Sequence, residues 1–431
     1  MTQFEPNHAR EAFPCFDDPR FRSSFTIYIA RLKKDGLSFS NMPIHDTFLP
    51  DNSVTGSNYV WDAFQSSTPM PTNLVSYAIV PNFSYVVTEG GNMRIVEKHT
   101  SNKIHYIYNQ SPKIYRQLVR YTNTEHYLPK LDIVVVPFVA NGKGGAGNWG
   151  MVNVEERFVI FNEDKCSAQQ IQMALQLISS KFSHQWFGDL VTPAWYDNEW
   201  LKEGFGSYFG TFIAAKVETT FDLHQLFVVE TIQESLWNEV TVQRAMTTPI
   251  RKPSQVTDVF DIISDKKAGS IIRMFELILS PDTFKKALHD FLQNGHDKQN
   301  GLVVEKNLLG AFDAVSSHET TKLPPHISTY NAMKTWTTNI GFPLITVTRN
   351  KAEGKVIVTQ TSYRALEAPS RLPDQQWIVP LTYATKSQQL RVASPDHVGV
   401  GVENSANRLC FVCARLCTNY FRLCSPPSWR I

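Results

Sequence analysis

The chain is predicted to be a multidomain α+β protein, and three observations lead there. Its 431 residues exceed what one ordinary core organises, so two to four domains are expected. In the first 90 positions the apolar residues sit in short β-branched and aromatic runs, as in strands. From about 165 to 340 they recur with helical spacing, and after Gly341 the strand pattern returns.

Taken in order, residues 25–32, 58–61 and 74–80 read as strands, separated by Pro, Gly, Asn and Asp. Residues 91–160 are mixed, with a short buried strand expected at 131–137 and a glycine-rich turn at 142–150. Ser167 and Gln170 form a capping box. Behind it Ile171, Ala174, Leu175, Ile178, Phe182 and Trp186 share one helical face. Further helices are expected over 222–240, 267–280, 282–294, 305–315 and 327–339, and strands over 344–348 and 356–359. No internal repeat is present. The expected division is 1–90, 91–340, 341–398 and a distinct tail, 399–431.

Composition excludes several classes. Hydrophobic residues at 42% and aromatics at 12% are too many for a disordered chain. Lys and Arg number 42 against 40 Asp and Glu, so nothing favours nucleic acid or an anionic membrane as the main partner. No run approaches the ~18 to 20 apolar residues that cross a bilayer. The first residues carry no signal-peptide pattern, which as written points to the cytosol unless the natural start lies upstream. Cys15 and Cys166 stand alone, while Cys410, Cys413, Cys417 and Cys424 crowd the tail. That spacing holds one short C-x2-C hook rather than the usual pair, so a tail zinc site is not expected. The tail has no lysine and contains Ser425-Pro426-Pro427-Ser428, and it is expected to be a translated non-coding or alternative segment.

Three ordered motifs carry a resemblance. The first runs from Gln3-Phe4-Glu5-Pro6 through Ala12-Phe13-Pro14-Cys15-Phe16-Asp17-Asp18-Pro19. The second is Gly144-Gly145-Ala146-Gly147-Asn148-Trp149-Gly150. The third is His184-Gln185-Trp186-Phe187-Gly188-Asp189-Leu190-Val191-Thr192, followed by Trp200-Leu201-Lys202-Glu203-Gly204-Phe205. Together they resemble the zinc aminopeptidases of the aminopeptidase N and endoplasmic-reticulum aminopeptidase kind, over residues 1–398. The resemblance implies a β-rich N-terminal domain, here truncated, a mostly helical thermolysin-like domain and a small, partial β-sandwich. It also implies a gene product lacking the start of the first domain, any anchor before it and a helical C-terminal domain.

The chemistry it implies is specific. The family places H-E-x-x-H on a helix, with a second glutamate 19 residues after the second histidine. Residues i and i+4 share a helix face, so two imidazoles reach one zinc, and the glutamate between them takes a proton from the metal-bound water. In this chain Ser180 stands where the first histidine is expected and Lys181 where the general base is expected. His184 and Glu203 remain as residual ligands. Gly147 replaces the glutamate of G-A-M-E-N, which holds the substrate amine. Asp265 replaces the tyrosine that stabilises the oxyanion, and a carboxylate there repels one. Glu5 matches an acidic residue that contacts the substrate amine, although it also reads as a hinge carboxylate. His184 likewise reads as a satisfied core histidine.

The expectation is a catalytically inactive homologue, similar to the family's matrix non-peptidase members. It would bind a protein or peptide partner at the cell surface or in the extracellular matrix. Asn82-Phe83-Ser84 and Asn109-Gln110-Ser111 are sequons compatible with that place. No cofactor is expected. The Lys181 ammonium is expected to replace the metal's charge and pair with Glu203. A membrane would be reached only through a segment outside this chain. The alternative is an active zinc aminopeptidase, with Asp197, Glu199 or Asp265 recruited as new ligands.

Overall fold

The computed structural model describes residues 1–48, 58–88, 90–98, 102–125, 127–140, 142–316, 323, 327–350, 355–363, 375–382 and 398–399. A β-rich N-terminal part is followed by a largely helical one, the predicted α+β arrangement.

The N-terminal part holds β1 (Tyr28–Leu32), β2 (Leu37–Ser40), β3 (Ile44–Phe48), β4 (Tyr59–Phe64) and β5 (Tyr77–Val80). Strands β1, β4 and β3 form an antiparallel sheet in that order, and β2 pairs antiparallel with β5. Next come β6 (Ser84–Val87), β7 (Met93–Glu97), helix α1 (His105–Thr122), β8 (Leu131–Val136), β9 (Gly145–Asn148) and β10 (Met151–Glu155). The five strands form one sheet, ordered β9-β10-β8-β7-β6, with β8 parallel to both β7 and β10. The expected boundary at residue 90 falls inside this sheet, because β6 pairs with β7 across it.

Central strand β8 is buried along its whole length, as its unbroken Ile133-Val134-Val135-Val136 run requires of a strand covered on both faces. Leu131, Ile133 and Val135 pack with the helices in the main core. Val134 and Val136 pack with Phe39, Ala78 and Val80 of the N-terminal strands in a second core. Two expectations fail here. Residues 142–150 are not simply a turn, because Gly145–Asn148 pairs with β10 as the edge strand. Helix α1 was not foreseen. Pro112 lies inside it and its aromatic content resembles strand composition, but Ile107, Ile114 and Leu118 bury one face against the main core.

The helical layer is built on α2 (Ala168–Ser183) and α3 (Trp200–Phe212). Helix α2 starts at the predicted capping box: the Gln170 amide donates to Ser167 Oγ and the Ser167 amide donates to Gln170 Oε1. Ala174, Leu175, Ile178 and Phe182 are buried, as their spacing predicted. Helix α3 is buried on nearly every side, with Trp200, Phe205, Tyr208 and Phe209 inaccessible. Its glycines let neighbours approach: a Cβ on Gly204 would lie 2.5 Å from Ala268 Cβ, and one on Gly210 would lie 3.3 Å from Ser180 Cβ.

The remaining predicted helices appear at Leu223–Phe227 continuing through a π segment into Glu234–Glu239, and at α4 (Ala268–Leu279), α5 (Pro281–Lys298), α6 (Glu305–Ser316) and α7 (Thr329–Thr338). A π turn, Ile263–Lys267, leads into α4. Beyond α7, β11 (Pro343–Asn350) and β12 (Lys355–Ser362) pair antiparallel, and Leu381–Thr382 pairs with Val398–Gly399. Residues 351–354, 364–374 and 383–397 of the expected β-sandwich, and the cysteine-rich tail beyond Gly399, lie outside the described residues. No described helix is long and apolar enough to cross a membrane.

Ser167→Ala removes the side-chain acceptor at the start of the helix that carries the candidate site. It should cost about 1 kcal/mol, read as a lower urea midpoint with an unchanged slope.

Candidate functional site

The residues singled out from the sequence converge where α2 ends. The last turn of α2 carries Ser180 and Lys181, and His184 caps the helix. The first turn of α3 brings Lys202 and Glu203. Edge strand β9 contributes Gly147, the π turn contributes Asp265, and the N-terminal segment contributes Glu5. The His184 ring lies between two glycines. A Cβ on Gly147 would sit 3.1 Å from His184 Cβ, and one on Gly206 would sit 2.6 Å from Nε2. The imidazole therefore fills space that side chains at both positions would occupy.

Glu203 is 6% exposed, and its burial makes its partners decisive. Lys143, from the turn before β9, donates to Glu203 Oε2 at 2.5 Å. Lys202 Nζ lies 3.7 Å from Glu203 Oε1 and 3.5 Å from Glu199 Oε1, and it contacts Glu5 Oε1. Both ammonium groups face the Phe260 ring, 5.8 Å from its centroid. The expected Lys181–Glu203 pair does not form: among the described residues the ion-pair partners of Glu203 are Lys143 and Lys202. The Lys181 stem runs along the edge strand, where a Cβ on Gly145 would lie 3.4 Å from its Cγ. Lys143 reaches the carboxylate instead, and Lys181 acts on it only through space.

Burial pushes the Glu203 carboxyl up, but Lys143 foremost, then Lys202, His184 and Lys181, hold it well below the usual range. Glu199 goes the other way. Burial, then the Glu203 charge, raises it well above the usual range. Burial also raises Asp265, against the pull of Lys143. Burial lowers the Lys181 and Lys202 ammonium groups. Burial first, and Lys181 second, push His184 down to about 3, so the imidazole is neutral near neutral pH. His184 is thus buried, as the core reading expects, but not satisfied: neither ring nitrogen has a hydrogen-bond partner among the described residues.

Zinc, which the resemblance implies, does not fit these residues. The one metal-capable cluster among the described residues joins oxygens of Glu5, Glu199 and Glu203, all within 4.8 Å of one another, and omits His184, Asp197 and Asp265. Two ammonium groups already face those oxygens. The orphaned nitrogens of His184 suit a ligand, but Ser180 supplies no second imidazole and Lys181 adds positive charge beside the first. Among the described residues the arrangement is a buried charge network of lysine ammonium groups and glutamate carboxyls.

Sequence reasoning had placed Ser180, Lys181, His184, Glu203, Gly147, Asp265 and Glu5, and all of them border this region. It missed Lys143 and Lys202. The available signal was lysine content. Lys202 directly precedes Glu203 in an otherwise apolar segment, and Lys143 stands in the glycine-rich run.

Comparison with known proteins follows the same outline. Residues 106–336 match the family described as Peptidase family M1 domain, and residues 1–74 match the Peptidase M1 N-terminal domain. The chain is 31% identical over 401 residues to aminopeptidase N of Bos taurus and 30% identical over 401 residues to aminopeptidase Ey of Gallus gallus. Each of these alignments covers 90% of this chain and 40% of the relative. It is 28% identical over 406 residues to endoplasmic reticulum aminopeptidase 1 of Mus musculus, covering 89% of this chain and 42% of that protein. The chain thus spans about two-fifths of the length of these relatives.

Lys143→Ala should destabilise the protein by about 2 kcal/mol, within the range for hydrogen bonds to charged groups. The figure stays below that of a fully buried pair because Lys143 is 27% exposed and Lys202 remains. Lys181→Ala should cost less than Lys143→Ala in the same denaturant titration; the reverse order would restore Lys181 as the partner of Glu203.

Proposed function

The chain belongs to peptidase family M1, and from that membership we propose that it is a catalytically inactive member that binds a protein or peptide partner. The observation that carries the proposal is the Lys143 ammonium on Glu203, where the family's chemistry needs that carboxylate free for a metal. Three losses act together. A missing general base removes about 10²–10⁴-fold of rate. A missing oxyanion donor removes about 10²–10³-fold. Without a metal, the attacking water keeps a pKa of ~15.7 in place of ~7. Such factors do not multiply, because residues acting as a unit are non-additive, but any one leaves a poor enzyme.

A place at the cell surface or in the extracellular matrix is part of the same proposal. It is supported by the relationship to proteins that include one named membrane alanyl aminopeptidase, from Manduca sexta, and by the exposure of Asn82 and Asn109 in the two sequons. Interaction would use the old cleft or the outer surface.

The second reading, an active zinc aminopeptidase, is favoured by the names of the relatives, all of them aminopeptidases. Zinc content decides between the two. After incubation with zinc and dialysis, the inactive reading expects well under one metal per chain and hydrolysis of aminoacyl amides at the buffer rate. One retained zinc together with stepwise trimming of peptide N-termini would establish the enzyme.

A further inference from the structure

Lys202 has surroundings unlike those of the other cations in the site. It is 4% exposed, and carboxylates meet its ammonium from several directions. Nζ contacts Glu5 Oε1 and lies 3.5 Å from Glu199 Oε1 and 3.7 Å from Glu203 Oε1. Those carboxylates come from separate stretches of chain. Glu199 and Glu203 flank the start of α3, while Glu5 arrives on the N-terminal segment, which the Tyr196 hydroxyl anchors by donating to the Pro6 carbonyl. Phe260 presents its ring 5.8 Å from Nζ. Glu5 meets the ammonium directly, Glu199 and Glu203 stand just beyond hydrogen-bond distance on its other sides, and an aromatic ring adds attraction for a cation. The Lys202 stem has room because of Gly188, whose φ is 138° and where a Cβ would lie 2.9 Å from Lys202 Cγ.

We propose that Lys202 is the internal occupant of an ammonium socket built by Glu5, Glu199 and Glu203, and that it closes this socket to free amines such as a peptide N-terminus. The inference deepens the reading of a catalytically silent cleft and rests on it. A tethered ammonium has its positioning entropy prepaid, so a free amine enters only by displacing it. The peptide-amine role expected of Glu5 is thereby taken by a residue of the same chain. A partner of this protein is accordingly recognised by features other than its free N-terminus.

The test is chemical rescue. Lys202→Ala deletes a propylammonium-sized fragment. Its melting temperature should fall below that of the wild type and rise saturably with n-propylammonium chloride, but not with sodium chloride at equal ionic strength. The wild type should respond equally to the two salts. By calorimetry, L-leucinamide should bind the variant at least tenfold more tightly than the wild type. Should Lys202→Ala fail to fold, Lys202→Gln, which keeps most of the stem, is titrated with ammonium chloride in place of the propylammonium salt, against the same sodium chloride control. A folded variant that responds no more to propylammonium than to sodium would overturn the assignment, as would a wild type that binds leucinamide as tightly as the variant. Release of leucine from leucinamide by the wild type, scored separately, would refute the silent-cleft reading. Absence of rescue would refute only the role of Lys202.

Discussion

The ion pair between Lys143 and Glu203 is the contact on which the rest of the site depends. Glu203 sits on a helix that is buried on nearly every side, and a lone carboxylate there would be costly. In a metalloenzyme the compensating charge would be the metal. In this molecule it is an ammonium 2.5 Å away, seconded by Lys202. Once those cations are in place, a divalent ion must displace them before it can use the same oxygens. His184 conforms to the change: it stays neutral, pressed between Gly147 and Gly206, with Lys181 beside it.

The fold around the site is held by apolar packing. Helices α2 and α3, the five-stranded sheet and its central strand hold their positions through apolar packing that makes no reference to a metal. The framework that positions the site is therefore independent of which side chains the site carries. Packing of Leu175, Ile178, Phe182, Trp200 and Phe205 fixes where the ends of α2 and α3 meet, whatever side chains project there. Carboxyl groups stand at Glu5, Glu199 and Glu203, and lysines meet them from the edge-strand turn and from α3 itself.

Much of this was legible in the sequence, for physical reasons that also mark where reading stopped. The capping box at Ser167 and the helical period behind it are local signals, and both reappear in the structure. Helix α1 was hidden because Pro112 and a run of aromatics imitate strand composition, while its stability comes from distant partners. The glycines at 144–150 read as a turn, yet strand pairing with β10 decides their conformation. At the site, the family resemblance located Ser180, Lys181, His184 and Glu203 but not the partners of Glu203. Lys181 is adjacent in helical register and was the natural choice to neutralise Glu203. Lys143 is 60 positions away and reaches it through the fold.

The most direct measurement is a crystal structure grown in zinc, with anomalous differences collected at the zinc edge. The account predicts no peak between His184 and Glu203, with the Lys143 ammonium still on the Glu203 carboxylate. A full-occupancy zinc bridging those two residues, with Lys143 turned away, would contradict it.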